Sequence, residues 1–408
     1  LNQAATVEKD TLWGRDFILV CVNDFLAFFS VYLIIPILPL FLEEEMGYSN
    51  FLIGALMSMM VVAALLRPFL GSISDIRGRK AILVWGTFLL GASTFFYVAF
   101  STALPLFVVR FLNGIGLAAF HTAAYALVGD LVPQSRRLHG IAIFFISVDA
   151  AIGLAPIVAE EIRVSWGYNA VYIVAGIVAM LAFLVSVFIR ETKKGGQTIG
   201  TSGRIWMKPT SLQWAIFILV SGYTLTLGVL STFIVLSSKE VGIEQGELFF
   251  TVFAATLIIF RLVVGKRADW FPRRPLILIS GIIVLAGLAV IAYSSSLTLL
   301  ILGSLVYALG FAYLPTTLSA LLLDHTAVGD WGVMLGMFMA VFDIGIGVGS
   351  FAMGPIADAW SYTAMYMASG AIAVLCLVYF FMRTSELKGE RGTGRGEESP
   401  PVSPYTEA

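Results

Sequence analysis

Four ionisable residues stand inside otherwise apolar stretches of this sequence: Asp24, Arg110, Asp149 and Asp343. A charge at mid-membrane depth costs about 2.5–3.5 kcal/mol even on lenient scales, so each needs a partner or water. A carboxylate that can exchange an arginine for a proton is a proton carrier, and that is the chemistry these residue types offer. Arg110 shares one helical side with Asn113, Gly114, Leu117 and His121. Asp149 leads a stripe with Gly153, Pro156 and Glu160, and Asp343 leads a second with Gly347, Ser350 and Gly354. Arg110 and Asp149 are expected to pair, either as a switch or as a permanent structural contact, with Asp24 an alternative proton site on one face with Phe28 and Tyr32. Asp343 reads either as a substrate contact or as a packing residue among Gly345, Gly347 and Gly349, and His121 either as a cavity residue or as packing. Tyr223, Thr224 and Thr226, with Tyr307, Tyr313, Thr316 and Thr317, add neutral polar groups among many Phe and Met. Together they suggest an amphipathic pocket for a small organic substrate.

The elements that must position these residues follow from composition. The 408 residues are 59% hydrophobic and 12% charged, which does not describe a soluble surface. Charges cluster between apolar stretches of about 20 residues, the length a helix needs to cross hydrocarbon. Twelve such stretches are counted, roughly 17–42, 51–70, 81–100, 104–130, 139–161, one ending near 190, 211–236, 247–264, 275–295, 297–322, 332–357 and 361–382. Alternating ten-residue segments are absent, so the class is an all-α membrane protein rather than a closed barrel. Of the 25 Lys and Arg, 22 fall in the two termini and the loops after the even-numbered stretches, which predicts both termini on the cytoplasmic side. The division is a cytoplasmic N-terminus 1–16, a six-helix bundle 17–190, a Gly/Ser/Thr/Lys-rich linker 191–210, a second bundle 211–383 and a disordered cytoplasmic tail 384–408. Cys21 and Cys376 lie within stretches 1 and 12 and suit buried thiols better than a disulfide or metal site. Leu1 to Asp16 run directly into an apolar stretch too long for a cleavable signal core. A net charge of −1 without basic, aromatic-rich patches excludes nucleic acid as a partner.

One segment is built differently. Arg67 to Leu83 reads RPFLGSISDIRGRKAIL, and Arg261 to Ile277 reads RLVVGKRADWFPRRPLI. Arg67, Gly71, Asp75, Arg79 and Lys80 are mirrored by Arg261, Gly265, Asp269, Arg273 and Arg274, each 194 residues on, as is Asp149 by Asp343. A fixed offset at spaced positions makes the chain two related halves. Asp75 sits at the cytoplasmic, dipole-negative end of stretch 2, so another helix N-terminus or the adjacent arginines must stabilise it. Gly71 is expected to permit close helix approach.

Two six-helix halves with a Gly71-Ser-Ile-Ser-Asp75-Ile-Arg-Gly-Arg79-Lys80 loop, echoed in the second half, resemble the major facilitator superfamily of secondary transporters over residues 17–383. Arg67-Pro68 before the first glycine looks like its small prokaryotic efflux permeases, which implies a prokaryotic inner membrane. The resemblance implies a gating latch in which Asp75 meets the start of stretch 11 and Arg79 meets Asp130, with Gly265, Asp269 and Arg273 repeating it. Trp270, Phe271 and Pro272 depart from the motif in the second copy. Arg110, Asn113, Gly114 and Gly116 resemble the intramembrane pattern whose arginine is associated with proton coupling in antiporters. The glycine-rich antiporter pattern of the fifth stretch is reduced here to Gly153, Ala155 and Pro156.

The function expected from these readings is proton-coupled export of a small amphipathic organic molecule by alternating access, with a monomer as the working unit. Proton-coupled uptake of a metabolite uses the same residues and is the alternative, ahead of a lipid-binding or enzymatic membrane protein. No nucleophile, base and orienting partner stand at recognisable positions, so no enzyme is expected. No cofactor or metal is implied, since His139 and His325 have no neighbouring ligand cluster and no phosphate-cradling loop follows a strand.

Overall fold

Proline and glycine divide the apolar stretches into helices. In the computed structural model, which describes residues 13–100, 102–133, 136–192, 207–263, 273–327 and 330–392, these residues form helices joined by short turns, with no strand among them. The first half contains α1 (Arg15–Ile34), α2 (Ile37–Glu44), α3 (Asn50–Ala64), α4 (Arg67–Arg77), α5 (Arg79–Phe95), α6 (Ala103–Leu131), α7 (Arg137–Trp166) and α8 (Tyr168–Phe188). The second contains α9 (Ser211–Glu240), α10 (Leu248–Val263), α11 (Arg273–Ala292), α12 (Leu297–Asp324), α13 (Trp331–Ala359) and α14 (Tyr362–Gly392). Pro36, which has no N–H to give, separates α1 from α2, and the second stretch breaks at Leu65–Leu66 just before Pro68. Counting α1 with α2 and α3 with α4 leaves twelve helical segments among the described residues. Ten have the length and apolarity to cross a membrane, and α3 and α10 are shorter apolar helices. The last helix runs on to Gly392, beyond the Arg383 at which the tail was expected to begin.

Caps fix several helix starts. Thr210 and Gln213 form a reciprocal capping box on α9, satisfying two otherwise orphaned donors. Gly78 joins α4 to α5 at φ 98°, a conformation that favours glycine. The Glu191 carboxylate accepts the first N–H groups of α5, from Arg79 at 3.2 Å and Lys80 at 2.9 Å. Large apolar side chains face outward, among them Phe69, Leu104, Ile259 and Leu375. Exposed Trp13, Trp166, Trp214, Trp331 and Trp360 stand at helix ends, where amphipathic rings sit at the two membrane surfaces.

The halves meet along two seams, α3 against α13 and α7 against α10, with α2 touching α9. The α13 stripe predicted from sequence is one face of the first seam. A Cβ on Gly54 would overlap the Ser350 carbonyl, and one on Gly354 would overlap that of Asn50, so the α3 and α13 backbones touch. In the second seam Thr251 donates to the Gly153 carbonyl at 2.7 Å. The seams are clasped at the start of α3 and the end of α13 as well. Asp358, at the end of α13, accepts the Asn50 and Phe51 N–H groups at 2.8 and 2.9 Å, placing a carboxylate on the positive N-terminus of α3. Tyr362 donates to Asn50 at 2.8 Å, and Lys239 pairs with Glu44. Between the spans, burial pushes the Glu247 carboxyl above its ordinary value and nearby Glu160 adds to this, while Oε2 has no hydrogen-bond partner. At the opposite end of the molecule α4 packs on α5 and α6 of its own half. The seams are therefore closed at the end where Asn50, Asp358 and Tyr362 meet.

Removing the Asp358 clasp should loosen this closure. Asp358→Ala is expected to favour the outward-open form by about 1 kcal/mol, roughly fivefold, as for loss of a helix cap. In a chain whose two native cysteines are replaced, the check is the rate at which a water-soluble thiol reagent labels Phe233→Cys, a buried position that stands against Gly54 of the other half. An unchanged rate would show that the clasp does not gate.

Candidate functional site

Two ion pairs join the halves at the inner end of the seams. Arg67 Nη1 lies 2.9 Å from Asp343 Oδ2, and Arg261 Nε lies 2.9 Å from Asp149 Oδ2. Both arginines and both aspartates are 194 residues apart in sequence, so each pair repeats the other with the halves exchanged. Asp149 and Asp343 are each twelve residues beyond the first residue of α7 and α13. At 1.5 Å per residue that is about 18 Å along the helix, near the middle of a bilayer. The break at Leu65–Leu66 sets Arg67 at the start of α4, where its side chain reaches back to α13.

These contacts correct an expectation. Arg110 was expected to hold Asp149, and Arg67 and Arg261 were counted with the cytoplasmic loops. Asp149 instead meets Arg261 of the opposite half, because its side of α7 faces α10. Arg110 faces α3 and donates from Nη2 to Met57 Sδ at 3.5 Å, with Nε unpartnered.

The pairs keep hydrogen-bonding capacity. Asp149 Oδ2 and Asp343 Oδ2 lie within ionic distance of their arginines but receive no aligned hydrogen bond, and Arg67 Nε has none. The Asp149 side chain is 4% exposed and that of Arg261 is 30%, so the exposure of the pair lies on the arginine side. Phe145, one turn before Asp149, lies beneath the Arg261 guanidinium at 5.1 Å. Tyr313, half-buried, stands edge-on to Phe260 with ring centroids 4.1 Å apart, beside the residue preceding Arg261.

The other expected cavity residues divide. Asp24 is fully buried between α1 and α7, accepts from Ser147 at 3.0 Å through Oδ2, and leaves Oδ1 unpartnered. His121 sits among Phe28, Phe120 and Phe144 with Nε2 unpartnered. Asn113 does not face a cavity. Its Nδ2 donates to Ser93, Thr94 and the Leu90 carbonyl, and its Oδ1 accepts from Tyr97, which fastens α6 to α5. Tyr223 is also turned inward, its hydroxyl against Gly281 of α11. In both cases a polar side chain on a membrane helix serves contacts within one half.

At the start of α5 Arg79 pairs with Asp130 and donates to the Ala126 carbonyl, while at the start of α11 Arg273 Nε lies 2.9 Å from Asp324. Asp324, absent from the sequence reading, is 194 residues after Asp130, so the repeat carried its signal. Gly71 does not mark a close approach in this conformation: a Cβ there would lie 3.7 Å from Thr122, an ordinary contact. Gly265 and Asp269 lie outside the described residues, as does the side chain of Asp75.

Comparison with known proteins agrees with a two-half, membrane-embedded architecture. The chain is 25% identical over 391 residues to the staphylopine export protein of Staphylococcus aureus, covering 88% of this chain and 94% of that one. Quinolone resistance protein NorA of the same organism is 24% identical over 206 residues, spanning 50% and 53% of the two chains. Among solved structures, the nucleoside transporter NupG superposes with a TM-score of 0.77 over 90% of this chain and 99% of that one, at 14% identity. The Major Facilitator Superfamily profile matches residues 20–244 and again 212–408, once for each half. With seams and ion pairs repeated across those same halves, the chain is a transporter, not an enzyme, and an integral membrane protein of the major facilitator superfamily.

Proposed function

We propose that this chain is a proton-coupled exporter of a small amphipathic organic molecule. The observation that carries the reading is the repeated ion pair, Arg67–Asp343 and Arg261–Asp149, set across the interface that alternating access must open and close. Substrate enters from the cytoplasm while the external ends of α3 and α13 are clasped. As the halves rock apart outside, each aspartate separates from its arginine. A carboxylate left in the interface without a cation is least costly as the neutral acid, so separation recruits a proton. Return to the outward-closed form restores the arginine, and the proton leaves towards the cytoplasm. Asp24 and Arg110, buried without a counter-charge in the contacts described, are the further proton site and its electrostatic neighbour. Export is supported by the relatives, one a staphylopine export protein and one a quinolone resistance protein.

The cytoplasmic latch belongs to the same cycle. Arg79–Asp130 and Arg273–Asp324 hold each half rigid, and the role proposed for Gly71, Asp75, Gly265 and Asp269 is to engage the opposite half when the cytoplasmic side closes. The working unit is a monomer in a prokaryotic inner membrane with both termini cytoplasmic. Everted vesicles containing the chain, given an inward-acid pH gradient, should accumulate a fluorescent quinolone and lose it when the gradient is collapsed. Efflux driven by the same gradient would replace export with uptake.

A further inference from the structure

We propose that the transported solute is a zwitterion with an apolar body, an amino-acid-type molecule whose carboxylate takes over an arginine and whose ammonium takes over an aspartate of the two inter-half pairs. The proposal rests on the reading that solute binds between the halves, and it identifies the chemical class of that solute.

Each half presents one cation and one anion to the interface: Arg67 and Asp149 from the first, Arg261 and Asp343 from the second. A neutral solute that wedges between the halves strands all four charges. A simple cation satisfies an aspartate and strands its arginine, and a simple anion does the reverse. A molecule carrying both charges replaces both partners of a pair at once, so neither charge of that pair is left uncompensated. The groups have capacity for it, since Asp149 Oδ2, Asp343 Oδ2 and Arg67 Nε lack aligned hydrogen bonds. Asp149 is 3% exposed as a residue, so its free capacity is directed into the protein and not into solvent. Aromatic surface adjoins one pair, with Phe145 under Arg261 and Phe260 and Tyr313 beside it. An apolar substituent next to the charged groups would cover that surface.

The test is thermal stabilisation of the purified full chain in nanodiscs by four forms of one skeleton: 2-naphthylalanine, its methyl ester, its N-acetyl derivative and its N-acetyl methyl ester. These are zwitterion, cation, anion and neutral molecule. The zwitterion is expected to act at about tenfold lower concentration than the other three, the worth of one charge-assisted contact. Arg67→Gln leaves Asp343 without a cation and should move the preference to the ester. Asp149→Asn frees Arg261 and should move it to the N-acetyl form. Equal stabilisation by blocked forms, stabilisation by none of the four, or variants that keep the parent's order would overturn the proposal. The four-way comparison on the parent chain decides the matter even where a variant does not fold. Because no gradient is used, failure of pH-driven export in vesicles would remove the coupling scheme without touching this charge preference.

Discussion

Arg261→Ala is expected to stop transport and to destabilise the chain, because it leaves Asp149 in the interface with no cation. Breaking one side of a buried pair costs about 3–5 kcal/mol, and with Arg261 partly open to water about 2 kcal/mol is expected here. Asp149→Ala leaves a more exposed arginine, so its cost is smaller. The double variant Arg261→Ala/Asp149→Ala removes both charges and should unfold at higher temperature than Arg261→Ala alone, while remaining inactive in pH-driven flux. Arg67 and Asp343 should reproduce the series, since they repeat the geometry. A double variant that transports at the parent's rate would take these charges out of the mechanism.

Gly54→Val should shift the resting conformation towards outward-open. The Gly54 position faces the Ser350 carbonyl so closely that a Cβ cannot be placed there, and the Phe233 ring stands 3.3 Å from the same point. Overpacking of this kind costs about 1–3 kcal/mol, so closure should be disfavoured by roughly tenfold or more. Both helices survive intact in the open form, which makes rocking the cheapest relief. The measurement is disulfide formation between Glu44→Cys and Lys239→Cys, placed at the external contact, in a chain without Cys21 and Cys376. The yield should fall in proportion. A yield equal to that of the parent would mean that α3 and α13 accommodate the valine without parting.

Much of the architecture was legible in composition and in the 194-residue offset, because lipid permits few backbone solutions and a duplicated half repeats its motifs. The stripes headed by Asp149 and Asp343 are the faces along which the halves meet, since small residues at helical spacing are what lets two backbones touch. The partners of those aspartates were not legible. Arg67 and Arg261 stand beside cytoplasmic motifs and read as loop charges, and only the break at Leu65–Leu66 and the seam against α7 turn them inward. Asn113 and Tyr223 mislead for the complementary reason: a polar residue within an apolar helix reads as facing a cavity, whereas Asn113 donates its hydrogen bonds to α5 and the Tyr223 hydroxyl packs against Gly281, both inside one half. The clasp between α3 and α13 and the Glu44–Lys239 pair were invisible because Asp358, Glu44 and Lys239 are ordinary charges at helix ends until the two halves are docked.

The exchanged arrangement of the two pairs has an electrical consequence. Each half carries one arginine and one aspartate, and the aspartates lie equally far along α7 and α13. When the halves rock without cargo, the positive and negative charges of this set shift together, and their contributions to displacement current cancel. Membrane voltage then does work on the cycle chiefly through protons bound to the aspartates, at about 2.3 kcal/mol per charge for 100 mV. The solute-loaded, unprotonated step should accordingly be insensitive to voltage, with the protonated return step alone accelerated by it.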